Sequence, residues 1–253
     1  MSTCREDFER DGFVIIPELV PLEQVQALKA ECQRVLAAHA PGRSVFVGAS
    51  VVSPLCNALA CASDLLQVLA QLLPGGVAFL SDKVVVKDGH NRFATPWHQD
   101  ASYWPGTRAK LSVWIALDDA LEANGALRVI PGSHHQRAVH AQAAQGHVVT
   151  GEFTNALALG DNPSGALTVA VPAGAAVIFS DLLVHGSHPN RTGGDRVSLI
   201  NTYHQPAADE AFDLDFPARR VLVRPGLRPP DPVRDCRAAD VREKVHGGRG
   251  AGR

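Results

Sequence analysis

The segment TPWHQDASYWPG, residues 95–106, places His98 two positions before Asp100. In an extended strand, side chains two positions apart project from the same face, so this imidazole and this carboxylate would point at one place. Neutral imidazole and ionised carboxylate are both ligands of divalent transition metals. Taken alone, the pair is better interpreted as a surface pair at the end of a loop, because short motifs match by chance. A metal site therefore requires a third ligand from elsewhere in the chain.

Two histidines farther along the chain are candidates for that third ligand. His185 and His188 follow the apolar run at 175–180, and a turn rich in Asn and Gly then leads into RVSLINTYH at 196–204. This pattern predicts that His185 ends one strand and that Arg196 begins its antiparallel hairpin partner. Two histidines and one carboxylate on one face of an ion form the facial triad of non-heme Fe(II) oxygenases, which leaves positions open for cosubstrates. A nearby arginine can pair with a cosubstrate carboxylate.

The elements around these residues predict a mainly β domain preceded by helices. Residues 4–11, 21–39 and 63–73 have helical spacing of apolar residues, and Ser63 is the expected N-cap of the last helix. After Gly76, short runs rich in β-branched residues alternate with turn residues, which is typical of a sandwich or jelly roll. The predicted strands are 77–87, 111–119, 126–130, 166–171, 175–180 and 196–204. We expect the helices to pack outside one sheet.

The composition is that of a globular protein with a real core, since hydrophobic residues make up 45% of the 253 residues and charged residues 20%. The net charge of -2 and the absence of a clustered basic face argue against nucleic-acid binding. The most apolar window, 166–179, is too short to span a membrane and contains a proline and glycines. Five cysteines without a CxxC pair favour a reducing compartment, and the N-terminal residues lack an apolar signal stretch, so we expect a cytoplasmic protein. The sequence does not indicate the oligomeric state.

Residues 1–224 are predicted to form one domain. Within it, 133–165 has few strand signals and many His, Gln, Ala, Gly and Asn residues, as in a lid or substrate loop. Residues 225–253 are rich in Pro, Gly and Arg, which predicts a flexible C-terminal tail.

Taken together, the motifs resemble those of the phytanoyl-CoA dioxygenase-like branch of the Fe(II)/2-oxoglutarate-dependent oxygenases. The resemblance covers roughly 12–206 and rests on WHQD at 97–100, VWIALDDALEANGALRVIPGSH at 113–134 and HGSHPNRTGGDR at 185–196. It implies a double-stranded β-helix, which is a cupin-like jelly roll, with the N-terminal helices packed on the larger sheet. It also implies Fe(II), with 2-oxoglutarate and O₂ as cosubstrates. The implied reaction is oxidation of an unactivated C–H bond, with hydroxylation expected and ring closure or desaturation as other outcomes.

The resemblance further implies a role for individual residues. His98, Asp100 and His185 correspond to the iron ligands. Arg196, eleven positions after His185, corresponds to the anchor of the distal carboxylate of 2-oxoglutarate. Three more positions are expected to contact this cosubstrate: Ser187, Trp114 and Lys83. The carboxylate at position 100 favours hydroxylation over halogenation, because related halogenases carry a small residue there.

The substrate is expected to be a small molecule, and a step in natural-product biosynthesis is the hypothesis that analogy offers. Candidates for the substrate site are Arg128 and His134, which flank the PGSH turn, and Tyr103, which follows the predicted ligand pair. The alternative function is a cupin-like metal-dependent isomerase or hydrolase that does not use 2-oxoglutarate. Arg196 argues against this alternative, because such an enzyme has no distal carboxylate to anchor.

Overall fold

A computed structural model of the chain describes residues 3–103, 109–138, 156–206 and 220–223. The predicted tail at 225–253 and much of the predicted loop at 133–165 lie outside the described residues. The helices, α1 to α5 in chain order, are Cys4–Asp11, Leu22–His39, Ala49–Val52, Pro54–Ala60 and Ser63–Leu72. The strands, β1 to β11, are Phe13–Ile16, Val45–Val47, Val77–Lys87, Thr95–His98, Lys110–Ala116, Leu127–Val129, Leu167–Val169, Ala176–Ser180, His185–Ser187, Arg196–His204 and Arg220–Val223. Short 3-10 turns are Asp100–Ser102, Glu122–Asn124 and Ser133–His135.

Two antiparallel sheets face each other and form the predicted jelly roll. The larger sheet has the strand order β1-β8-β5-β10-β3-β11, with β2 also paired to β3, and the smaller sheet has the order β4-β9-β6-β7. Apolar side chains from both sheets meet between them, including Phe13 and Phe179 from the larger sheet and Leu127 and Val169 from the smaller one. Side chains on the inner faces of two packed sheets alternate with outward ones, so each strand offers every second residue to this interior.

The helices cover the outer face of the larger sheet, as predicted. In α2, Val25, Leu28, Cys32 and Val35 are buried at the spacing of one helical face. The helix packs against β3 and β10 through this stripe. The predicted N-cap of α5 was wrong by one residue. Ala62 is the N-cap, while the Ser63 hydroxyl donates to Asp64 within the first turn and caps no backbone N–H.

The predicted hairpin of the strands that carry His185 and Arg196 was wrong. Strand β9 pairs with β4 and β6 in the smaller sheet, whereas β10 pairs with β3 and β5 in the larger sheet. The chain crosses from one sheet to the other after β9, where the Asn190 side chain donates to the carbonyls of Lys87 and Gly194. The two residues therefore reach one cavity from different sheets.

The described cysteines, Cys4, Cys32, Cys56 and Cys61, form no disulfide. Over the same described residues, no single helix is long and apolar enough to cross a membrane; α4 and α5 pass that test only as a pair bent by 41°.

Candidate metal and cosubstrate site

Three potential metal ligands meet between the two sheets. His98 ends β4, Asp100 begins the turn that follows, and His185 begins β9 as the register partner of His98. Their ligand atoms lie within 4.8 Å of one another, and all three residues are buried. Nε2 of His98 is 3.4 Å and Nε2 of His185 is 3.8 Å from the same oxygen, Oδ1 of Asp100. The structure thus brings together the three residues that the sequence motifs singled out.

The predicted extension of the strand through Asp100 is only partly right. Strand β4 ends at His98, and Asp100 starts the 3-10 turn Asp100–Ser102. Gln99 between them is extended, with φ -115° and ψ 129°, so the two flanking side chains still share a face. The Gln99 amide donates to the carbonyl of Leu182 at 2.6 Å, which ties the turn to the segment before β9.

Backbone carbonyls orient both imidazoles in the same way. Nδ1 of His98 lies 2.9 Å from the carbonyl of Pro96, and Nδ1 of His185 lies 2.9 Å from the carbonyl of Leu183. A carbonyl can only accept, so each Nδ1 is the protonated nitrogen. In a neutral imidazole held in this way, the Nε2 lone pair is directed toward Asp100. A hydrogen bond from the second ring nitrogen is how proteins commonly fix a metal-binding histidine.

A serine on the larger sheet orients the carboxylate. Ser112 in β5 donates a 2.9 Å hydrogen bond from Oγ to Oδ2 of Asp100, which leaves Oδ1 facing the imidazoles. Sequence reasoning missed Ser112. The signal that could have found it is strand alternation, since Ser112 shares a face with Trp114.

The electrostatics favour the protonation states that a metal requires. Burial alone would raise the pKa of Asp100, but Lys83 and the two imidazoles hold the pKa of this carboxyl well below its usual range. Burial, together with His98, lowers the pKa of His185 to about 3. Near neutral pH the site therefore offers an ionised carboxylate and a neutral imidazole. Two nitrogens and one oxygen on one side of a common point form a donor set that fits Fe(II).

Arg196 begins β10 at one end of the cavity and is 2% exposed. Its guanidinium donates to Ser198 at 2.8 Å and lies 5.4 Å from the centre of the Trp114 ring. Its Nε is buried and has no hydrogen-bond partner within the described part of the chain. Burial lowers its pKa to about 10, with Asp118 opposing this effect, so the group stays charged at neutral pH. Among the described residues it forms no salt bridge. A buried guanidinium with an unused donor fits a carboxylate such as the distal one of 2-oxoglutarate.

A lysine that sequence reasoning missed lies beside Arg196. Lys87 is fully buried, and its Nζ donates to Oγ of Ser187 at 2.6 Å and to the carbonyl of His188 at 2.5 Å. Ser187 in turn donates to Thr95 at 2.8 Å. Burial and the charge of Arg196 lower the pKa of Lys87 to about 6. Alternation along β3 could have found it, because Lys83 and Lys87 lie on the same face of that strand.

The three candidate ligands and Arg196 line one cavity of about 450 Å³ between the sheets. The lining residues expected from the sequence are His98, Asp100, His185, Arg196, Ser187, Trp114, Lys83 and Tyr103. The Tyr103 ring meets His98 edge-on, with 5.9 Å between the ring centres. Apolar side chains, among them Phe179 and Ile200, form much of the remaining wall.

Two residues expected at the substrate site lie outside the cavity lining. The Arg128 guanidinium lies 4.5 Å from the centre of the Trp97 ring and donates to the Asp161 carbonyl and to Asn162. Side chains alternate along β6, so Leu127 points into the cavity and Arg128 points away from it. His134 lies against α1, where Nε2 is 3.1 Å from the carbonyl of Glu9.

His188, the alternative third ligand, is not in the cluster. Its Nε2 is 2.8 Å from Thr168 Oγ1 in the smaller sheet.

Comparison with known proteins agrees with this geometry. The family model described as phytanoyl-CoA dioxygenase (PhyH) matches residues 8–198. The chain is 29% identical over 228 residues to an L-proline trans-4-hydroxylase of Streptomyces griseoviridis, covering 78% of this chain and 84% of the relative. It is 29% identical over 228 residues to an ectoine dioxygenase of Bordetella parapertussis, covering 79% and 73%. The epimerase SnoN, solved with Fe3+, alpha ketoglutarate and nogalamycin RO, has a similar fold, with a TM-score of 0.66 at 22% identity, covering 78% of this chain and 80% of SnoN.

Proposed function

Because this chain belongs to the phytanoyl-CoA dioxygenase family and is a non-heme iron, 2-oxoglutarate-dependent oxygenase, we propose that His98, Asp100 and His185 are its iron ligands. The observation that carries this proposal is the convergence of two imidazole Nε2 atoms on one carboxylate oxygen, at 3.4 and 3.8 Å. Family membership disfavours the alternative of an isomerase or hydrolase that uses no 2-oxoglutarate.

We assign Arg196 as the anchor of the distal carboxylate of 2-oxoglutarate. Its buried Nε has no partner among the residues whose placement is described, and the Trp114 ring beside it limits where the cosubstrate can lie. Ser187 lines the same cavity and accepts a hydrogen bond from Lys87, which supports a contact between its Oγ and the cosubstrate. Lys83 interacts electrostatically with Asp100, which favours a role near the metal end of the cosubstrate.

Iron and 2-oxoglutarate, when bound, supply the O₂-dependent oxidation of a C–H bond. The chain supplies orientation and exclusion of water. Ser112 and the two backbone carbonyls hold the ligand atoms in one arrangement, so binding requires little reorganisation. Phe179, Leu127 and Ile200 provide an apolar wall, which lowers the local dielectric and strengthens the charge interactions within the site.

We further propose that the substrate is a small molecule and that the outcome is hydroxylation, in a step of natural-product biosynthesis. A cavity of about 450 Å³ is within the size range of small-molecule sites. Two relatives are named for L-proline and for ectoine, and the similarly folded SnoN was solved with nogalamycin RO. The carboxylate at Asp100 supports an oxidation in which no halide binds the metal at that position.

The test uses the purified full chain with Fe(II) and 2-oxoglutarate. We expect one equivalent of bound Fe(II), binding of 2-oxoglutarate, and O₂-dependent release of succinate. His185→Ala should weaken metal binding at least ~100-fold, since loss of mere supporting contacts already costs about 10–100-fold. It should keep the circular dichroism spectrum of the parent.

His90 is exposed and lies outside the ligand cluster, so His90→Ala is the matched control and should bind metal like the parent. Unchanged metal binding and succinate release in His185→Ala would rule out the ligand assignment.

A further inference from the structure

We propose that the substrate carries an oxyanion group, a carboxylate or a phosphate, which Arg43 binds at the mouth of the cavity. This inference rests on the proposed function, because it names the substrate class of the same cavity. It comes from the balance of charge in the cavity and from the position of Arg43, a residue that the sequence motifs did not single out.

The cavity has an excess of positive charge. Among its described lining residues Arg43, Lys83 and Arg196 are cationic, and Asp100 is the one carboxylate. Fe(II) and the 2-oxoglutarate dianion have opposite charges of equal size, so their binding leaves this excess unchanged. This excess of positive charge is the same whichever cation contacts each carboxylate of 2-oxoglutarate. A low-dielectric cavity with unbalanced positive charge favours an anionic ligand and disfavours a cationic one.

Backbone geometry explains why Arg43 belongs to the cavity. The Val86 N–H donates to the Ser44 carbonyl at 2.8 Å, and Val45 then pairs with Val85, so the chain is already aligned along β3 at this point. Arg43 and Val45 are two positions apart and both line the cavity, whereas Ser44 between them does not.

Arg43 is a cation of the lining with no ion pair among the residues that the structure describes. Its side chain is largely exposed although it lines the cavity, which places it at the mouth. Among the described residues it has no salt bridge, in contrast to Arg10 and Arg34, which pair with neighbouring carboxylates. A guanidinium of this kind can donate two parallel hydrogen bonds to a carboxylate or phosphate.

The other residues of the cavity lining indicate what kind of group the rest of the substrate carries. Many of the other residues that line the cavity are apolar, among them Val45, Val85, Leu127 and Ile200. A ligand with an anionic head at Arg43 and an apolar body would direct that body toward the metal, where C–H oxidation takes place.

The experiment compares matched ligand pairs on the full chain loaded anaerobically with Fe(II) and 2-oxoglutarate. The carboxylate probes are 3-phenylpropanoate and octanoate, each paired with its primary amide. The phosphate probe is benzyl phosphate, paired with benzyl alcohol. Affinity is measured by isothermal titration calorimetry, and succinate release is measured after admission of air. We expect at least one anion to bind ~10-fold or more tightly than its neutral partner, as for loss of one charge-assisted contact. The series that binds distinguishes carboxylate from phosphate.

Arg43→Gln should abolish the preference for the anion by weakening its binding ~10-fold, with no change for the neutral partner. Arg191, which is exposed and lies outside the cavity lining, is the matched control, and Arg191→Gln should keep the preference.

Equal affinity for acid and amide, a preference that persists in Arg43→Gln, or no binding by any anion would overturn the inference. Binding of 2-oxoglutarate is measured first on every variant. A parent protein that fails to bind 2-oxoglutarate contradicts the proposed function itself, whereas normal 2-oxoglutarate binding without anion preference contradicts only the role of Arg43.

Discussion

Nζ of Lys87 in the larger sheet donates a 2.6 Å hydrogen bond to Oγ of Ser187 in the smaller sheet. The lysine is fully buried and its side chain connects the sheets at the end of the cavity where Arg196 lies. A neutral amine has two hydrogens to donate, which is enough for Ser187 and for the carbonyl of His188. This contact links the positioning of the Ser187 hydroxyl to the protonation state of Lys87.

The buried lysine predicts a pH dependence of stability. Its pKa falls from 10.5 in the unfolded chain to about 6 in the fold, so between these values the unfolded chain binds a proton that the folded chain does not. The contribution of Lys87 to the free energy of unfolding therefore rises with pH across this window, by at most ~1.4 kcal/mol per pH unit. Urea unfolding of the metal-free parent and of Lys87→Met at several pH values between about 6 and 9 measures the difference. Parallel stability curves for the two proteins would contradict the prediction.

Gly125 makes room for the Lys87 side chain. It has φ +100°, and a Cβ there would lie 2.8 Å from Cδ of Lys87 and 3.0 Å from the His188 carbonyl oxygen. Gly125→Ala should lower the free energy of unfolding by roughly 2–4 kcal/mol, because backbone strain adds to overpacking. Gly193→Ala is the control, since nothing lies within 4 Å of its Cβ, and it should change stability little. Equal denaturant midpoints for the two variants would contradict the prediction, because they would show that the Lys87 side chain can move aside without lowering the free energy of unfolding.

The contact between Ser112 and Asp100 predicts an effect on metal affinity. Ser112→Ala removes the 2.9 Å hydrogen bond to Oδ2 and lets the carboxylate rotate. We expect Fe(II) affinity and succinate release to fall about 10–100-fold, as is usual when support of a metal ligand is lost. Ser63→Ala on helix α5 is the control and should bind Fe(II) like the parent. Metal titration monitors both, and a Ser112→Ala protein with parental affinity would argue that Asp100 is held without the serine.

Replacing Arg196 should weaken the binding of 2-oxoglutarate selectively. Arg196→Lys keeps a positive charge but cannot form the paired hydrogen bonds of a guanidinium. We expect 2-oxoglutarate affinity to fall about 10–100-fold, because one contact to a charged group contributes ~1.5–3 kcal/mol. Fe(II) affinity should stay within about twofold of the parent, because Arg196 is not part of the cluster His98, Asp100 and His185. A variant that loses both affinities equally would indicate a structural role instead.

Much of the fold was predictable from local pattern. The β-branched runs at 77–87 and 196–204 coincide with β3 and β10, and the apolar stripe of α2 is the buried one. Local pattern was weaker where elements are short. Strand β9 has three residues, and α3 and α4 together have eleven, too few for periodicity to distinguish them from a loop.

The order of the motifs selected His98, Asp100, His185 and Arg196 from eleven histidines and many charged residues. Single-position candidates were less successful. Arg128 and His134 lie in a recognisable motif, yet they contact other parts of the protein surface. A motif match shows that a whole segment is similar to a segment of another protein. It does not show which of two adjacent side chains in that segment points into the cavity.

The sequence by itself determined the types of the candidate ligands, their order along the chain, and the same-face relation of His98 and Asp100. Only the tertiary structure decided that His185 and Arg196 reach the cavity from opposite sheets, that Lys87 and Ser112 support the site, and that Arg43 lies at its mouth. The physical reason is that a period of two fixes which face of a strand a side chain occupies. What lies opposite that face is set by long-range packing of the two sheets, which local spacing does not encode.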